Sequence, residues 1–162
     1  MDGLFTTLSM MKDAFVRIIS TGLGAGYFPV ASGTAGTVAA IPLFLFLSHW
    51  WGGAGVLAGA IAVALVGIPV SSRMEILLGA KDPKPVVIDE IAGYLVTMAG
   101  SPPDLLHIAA GFLLFRFFDV TKLQPARWLE ETLPGGYGIV ADDIMAGLFS
   151  WGALRVMEWM FL

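Results

Sequence analysis

Residues 54–70 read AGVLAGAIAVALVGIPV, a run without a single charged or hydroxyl side chain. Such a run is either the core helix of a soluble domain or a membrane segment, and its surroundings decide between the two. From residue 18 to residue 72 the sequence contains no Asp, Glu, Lys or Arg. Across its 162 residues the chain is 57% hydrophobic and 14% charged, with a mean hydropathy of +0.80. That leaves too little polar surface to cover a water-soluble domain. The composition therefore predicts an all-α integral membrane helical bundle, a single membrane-embedded domain over residues 1–162.

Working outward from that run, Gly55, Gly59 and the alanines recur at helical spacing, which lets helices approach closely in lipid. Upstream, HWWGG (49–53) reads as a reversal with an aromatic anchor at headgroup level. It follows a first apolar segment, VAAIPLFLFLSHW (38–50), with Pro42 near its start. The preceding TGLGAGYFPVASGTAGT (21–37) is broken by Gly and Pro, and irregular structure is expected there. Residues 4–20 suit a short amphipathic helix lying at the interface. Downstream, the prolines of KDPKP (81–85) keep that loop from being helical. Three further apolar segments are expected over residues 86–100, from Pro103 or Asp104 through Phe118, and over 144–162. The total is about four to five apolar segments plus the N-terminal interfacial helix.

If the chain crosses at each segment, Lys12, Arg17, Arg73, Lys81, Lys84, Arg116, Lys122 and Arg127 fall on one side, and the two opposite turns hold no Lys or Arg. The positive-inside rule makes that side cytoplasmic. The first residues lack the basic start, apolar stretch and small-residue cleavage site of a signal peptide. With no cysteine, thiolate zinc sites and a cysteine nucleophile are excluded. The net charge of −4 and the lack of a basic run argue against nucleic acid. His49 and His107 sit by the far-side turns and read as interfacial residues.

The acids gather on the same side as the bases. KPVVIDEIAGYLV (84–96) carries Asp89 and Glu90, FLLFRFFDV (112–120) carries Asp119, and Asp142 and Asp143 precede IMAGLF (144–149), so each group is expected at a helix end. Any one pair can be a helix cap, as Asp142 or Asp143 would be at a helix start. Three groups on one side point instead to a shared site. Clustered carboxylates need a cation, and an all-oxygen donor set suits Mg²⁺ or Mn²⁺ rather than zinc. Arg116 and Lys122 flank Asp119 at helical spacing, and bases beside a metal suggest a phosphate ligand. Interfacial snorkelling would also explain both. The glycine-rich loop, with Thr34 in it, offers backbone N–H groups to a phosphate, though it lacks the P-loop spacing.

Four blocks resemble one family in order: residues 21–37; KDP (81–83) with VIDEIAG (87–93); FRFFDVTK (115–122); and GYGIVADDIMAG (136–147). They are similar to phosphatidylglycerophosphatase A, with Ser32 and Leu123 departing from the usual prolines. The resemblance implies a Mg²⁺-dependent lipid phosphatase of the bacterial inner membrane that converts phosphatidylglycerophosphate to phosphatidylglycerol. On this reading Asp89, Glu90, Asp119, Asp142 and Asp143 supply metal ligands and the water-activating base. Arg116, Lys122, Lys81 and Thr34 would bind the substrate phosphate. The rival readings are a small carboxylate-lined cation carrier or channel and a structural membrane subunit; oligomeric state is left open.

Overall fold

The structure, a computed structural model, describes residues 2–161, with side-chain surroundings for residues 10–160. The expected all-α architecture is found: helices α1 (Asp2–Ser20), α2 (Ser32–Leu78), α3 (Ile88–Thr97), α4 (Leu105–Thr121), α5 (Ala126–Thr132) and α6 (Gly136–Phe161), with a 3₁₀ turn at Ala25–Tyr27. The described residues contain no strand.

The long α2 is two limbs. Gly52 leaves helical geometry at φ 61°, ψ −159°, a conformation open to a residue without Cβ. A Cβ at Gly59 would run into the Leu47 side chain, although an unbroken helix would hold those positions about 18 Å apart. The limbs therefore fold back on each other at the expected HWWGG reversal. The first limb starts at Ser32, earlier than residue 38, and the second continues to Leu78, where Gly79 at φ 65° closes it on the Glu75 carbonyl. The last part of the 21–37 stretch is thus helical: burial of Gly33, Gly36 and Thr37 against the rest of the molecule outweighs the poor helix propensity of glycine.

Helix α3 is the axis of the molecule. Every one of its residues but Glu90 is buried. Tyr94, Leu95, Phe44, Phe115, Met98 and Leu154 form the main core around it, and the Tyr94 hydroxyl donates to the Ile108 carbonyl at 3.2 Å. Glycines set how closely α6 approaches: a Cβ at Gly147 would strike the Gly93 backbone, and one at Gly93 would lie 2.6 Å from Phe115 Cε2. Thr97 Oγ1 donates to the Gly93 carbonyl at 3.0 Å and reaches the Gly147 carbonyl at 3.5 Å, fastening the two helices where they are closest.

Among the described residues, Ser32–Leu78 is the one helix both long and apolar enough to cross a membrane, with a mean hydropathy of 2.2 over its most apolar window. At ten residues α3 spans about 15 Å, half of a bilayer core. α4 and α6 carry their acids and bases within the helix itself. Two further features differ from expectation. α6 begins at Gly136 rather than 144, so Asp142 and Asp143 lie in its second turn and neither is an N-cap. α5, hidden in a polar stretch too short for a clear period, was not anticipated. On α1, Met11, Phe15 and Ile18 form an exposed apolar face, while Arg73 on α2 donates from Nη2 and Nε to Asp13 at 2.9 and 3.0 Å.

Candidate active site

The close approach of α3 and α6 lays Asp143 across the first turn of α3, where the positive end of the helix favours acids. One carboxylate oxygen from each of Asp89, Glu90 and Asp143 lies within 4.8 Å of the other two. Asp89 and Asp143 are 6% and 4% exposed. Asp89 Oδ1 and Glu90 Oε2 are buried without a hydrogen-bond partner. Each uncompensated buried ion costs several kcal/mol. A hard divalent cation with oxygen ligands is the direct compensation, so this donor set fits Mg²⁺.

Glu90 also borders a charged cavity of about 430 Å³, lined by Asp82, Lys84, Glu90, Arg116, Asp119 and Lys122 on one side and by Gly26, Phe28, Pro29 and residues 31–33 on the other. Glu90 Oε1 lies 4.0 Å from Arg116 Nη1, and Arg116 Nη1 donates to Asp119 Oδ2. Lys122 does not continue the α4 face as its spacing with Asp119 implied. It caps α4 in the left-handed region, φ 44°, and swings towards α6 and α5, placing Nζ 2.8 Å from both Asp142 Oδ2 and Glu130 Oε1. Burial alone would lower the Lys122 pKa, but its bonds to Asp142 and Glu130 outweigh that and hold the ammonium charged.

The opposite wall is the start of α2. Its N-cap, Ala31, is itself left-handed at φ 53° and offers no side-chain bond to the first turn. The free N–H groups there add positive potential to the cavity. Gly33 leaves these side chains room: a Cβ would collide with Glu90 Oε1 and lie 2.9 Å from Arg116 Nη1, so both would have to move.

The structure thus gathers most of the expected residues, in two layers. Asp89, Glu90 and Asp143 form the buried oxygen cluster; Glu90, Arg116, Asp119 and Lys122 face the cavity, and Asp142 stands behind Lys122. Two residues expected at the phosphate are not brought in. Lys81 turns away to donate to the Glu130 carbonyl at 2.8 Å, and Thr34 faces a different, apolar cavity. Lys84 lines the charged cavity instead. The sequence carried a partial signal for it, since Lys81 and Lys84 share one proline-bound loop and only the fold chooses between them. Glu130 and Gly33 carried none, because their roles arise from contacts between helices.

Buried oxygen donors beside a charged cavity that holds Lys84, Arg116 and Lys122, on an apolar helical chain, form the kind of site that handles a phosphate ester. Residues 18–158 match the family model of phosphatidylglycerophosphatase A, and the chain belongs to that family and is a phosphatase. It is 33% identical over 139 residues to the phosphatidylglycerophosphatase A of Escherichia coli K12, covering 85% of this chain and 80% of the relative. The Haemophilus influenzae protein of the same name is 31% identical over 136 residues, 83% of each chain. A Bacteroides thetaiotaomicron protein, named provisionally as a phosphatidylinositol-3-phosphatase, is 30% identical over 161 residues, 93% of this chain and 98% of the relative. No solved structure matches the chain.

Proposed function

We propose that the chain hydrolyses phosphatidylglycerophosphate to phosphatidylglycerol and phosphate at the cytoplasmic face of a bacterial inner membrane, with Mg²⁺ as its cofactor. The observation that carries this reading is the adjacency of the unpartnered Asp89 and Glu90 oxygens to a cavity lined by Lys84, Arg116 and Lys122. Asp89, Glu90 and Asp143 would hold the ion, which supplies Lewis-acid polarisation and a more acidic water. Arg116, Lys122 and Lys84, with the first turn of α2, bind the phosphoryl oxygens. Asp119 orients Arg116 and Asp142 orients Lys122. Asp119 lines the cavity but stands outside the oxygen cluster, which suits it to take the proton of the water attacking phosphorus. The P–O bond to glycerol then breaks, and the leaving alkoxide takes a proton from solvent.

A membrane-embedded, single-domain arrangement is supported by the exposed apolar surface, including Leu57, Ile61, Leu65, Leu113, Val156 and Trp159. The limbs of α2, about 30 and 39 Å long, match or exceed a bilayer core. On this reading α3 enters only part of the bilayer, shielded by α2, α4 and α6, so its acids stay at the cytoplasmic boundary. The family match and the position of the acids at one end, beside bases, leave the carrier or channel without support. The Bacteroides relative's name supports a second substrate reading, a phosphoinositide monoester.

Phosphate release by purified protein from both lipids tests these readings. Release from phosphatidylglycerophosphate, lost in EDTA and restored by Mg²⁺, is expected. Turnover that survives EDTA, or survives Asp119→Asn in folded protein, would overturn the mechanism, and a preference for the inositol lipid would transfer the activity to the second substrate.

A further inference from the structure

Beside the charged cavity lies a second one of about 590 Å³, walled by the 3₁₀ turn, residues 28–31 and one face of α2. The two cavities share Phe28, Pro29 and Ala31. Helical geometry divides them: at about 100° per residue, Ser32, Gly33, Gly36 and Thr37 share one side of α2, and Thr34, Ala35 and Val38 share the other. Ser32 and Gly33 face the charged cavity. Gly36 and Thr37 are buried, with a Cβ at Gly36 falling 2.6 Å from Val87 Cβ. Thr34, Ala35 and Val38 face the second cavity, whose lining is apolar except for Tyr27 and Thr34. Phe28, Val30 and Val38 stand open to the surroundings at 60%, 70% and 52% exposure.

We propose that this groove seats one acyl chain of the phospholipid whose phosphomonoester occupies the charged cavity, an assignment that rests on the lipid-monoester reading above. Adjacency of the two cavities identifies the occupant, since Phe28, Pro29 and Ala31 line both. A phospholipid monoester carries its charge at one end, joined through glycerol to apolar tails, and the molecule offers a charged chamber and an apolar one in that order across a shared wall. A second copy of the chain, or another apolar helix, would cover the groove without using the charged cavity beside it. Ala35 and Val38 then govern the fit of the tail, and residues 28–31 form the threshold between headgroup and tail.

The test uses the full chain in detergent micelles with three probes: dioleoyl phosphatidylglycerophosphate, the same lipid with a diazirine in one tail, and its deacylated, water-soluble headgroup. Ala35→Phe and the milder, exposed Val38→Trp fill the groove. Each should lower lipid turnover about tenfold relative to headgroup turnover, the scale of a pocket that no longer admits a methylene. Photolysis should label residues 24–38, and unlabelled lipid should compete. An equal loss on both substrates, labelling confined to the second limb of α2, or a dimer on size exclusion that Val38→Trp breaks would overturn the assignment. If the wild type hydrolyses neither substrate, the phosphatidylglycerophosphate reading fails separately, and the label still decides: at residues 24–38 it upholds the groove, elsewhere it removes it.

Discussion

The two ends of α4 each carry a cluster of acids and bases, and they are built to opposite rules. At its start, Asp104 caps the helix by accepting from the His107 backbone N–H at 3.0 Å and from His107 Nδ1 at 2.7 Å. His107 Nε2 faces Glu158 at 3.5 Å, Arg155 Nη2 lies 2.8 Å from Glu158, and Arg155 also donates to the Gly100 carbonyl and to Ser101. Two acids meet two bases, and together they lash the 98–104 turn to α6. About 22 Å away at the other end of the helix, Asp82, Asp89, Glu90, Asp119, Asp142 and Asp143 gather around only Lys84, Arg116 and Lys122. Two of the buried oxygens there have no partner. The clasp at the start of α4 also leaves Arg155 Nε and Glu158 Oε1 without a well-directed hydrogen bond, but its acids and bases are matched one to one, with Arg155 Nη2 2.8 Å from Glu158 Oε1. A cluster left short of positive charge in a buried place is kept for a ligand that brings it.

The largest expected break in this contrast comes from the oxygen cluster. Glu90→Gln, and separately Asp143→Asn, should lower turnover by about 10²–10⁴-fold, the range for losing a group that acts on the reacting proton or its metal. The metal-free variants should melt higher than metal-free wild type, since each removes one of three mutually repelling carboxylates. Mg²⁺ should reverse the order by stabilising only the wild type, by about 2.7 kcal/mol when present at a hundred times its Kd. Thermal melts with and without EDTA, read beside phosphate release, check both halves. Variants that melt lower without metal would return these acids to a structural role.

A smaller effect tests whether the cavity depends on backbone approach as well as on charge. Gly33→Ala places a methyl against Glu90 and Arg116 while leaving every charge in place. Turnover should fall about 10²-fold, the cost of displacing groups by roughly an ångström. Melting temperature should change little, because the Glu90 and Arg116 side chains can swing away. Unaltered activity would mean that this wall does not bound the reacting phosphate.

The acids were legible in the sequence because charge inside an apolar run is costly and therefore conspicuous: Asp89, Glu90, Asp119, Asp142 and Asp143 all stand out against their neighbours. Their division into layers was not legible. It depends on Gly93 and Gly147 bringing α6 onto α3, and on Lys122 adopting φ 44° so that it reaches Asp142 rather than continuing beside Asp119. The all-helical class and the Gly52 reversal were likewise readable from hydropathy and turn residues. The start of α6 was not, since the apolar run that marked it begins only after the acids, whereas the helix starts at Gly136 under a hydrogen bond from its N–H to Ser72 Oγ at 2.8 Å. Contacts from distant helices set these details, and no local pattern encodes them.

The far cluster supplies the smallest effect and the control. Hydrogen bonds from His107 hold the Asp104 carboxyl below its ordinary pKa. A carboxyl whose pKa is lowered by folding adds stability above its unfolded value, near 3.9, and loses it as the pH falls through the lower folded value. Asp104→Ala should therefore lower the melting temperature by a few degrees at neutral pH, through lost capping and the lost bond to His107. The difference from wild type should shrink as the pH falls below about 4. Phosphate release at a temperature where both proteins are folded should be unchanged, because this clasp touches neither the oxygen cluster nor the cavity. A pH-independent melting difference would assign the effect to helix geometry alone, and a loss of turnover comparable to that of Glu90→Gln would mean that the two ends of α4 are coupled and the contrast between them does not hold.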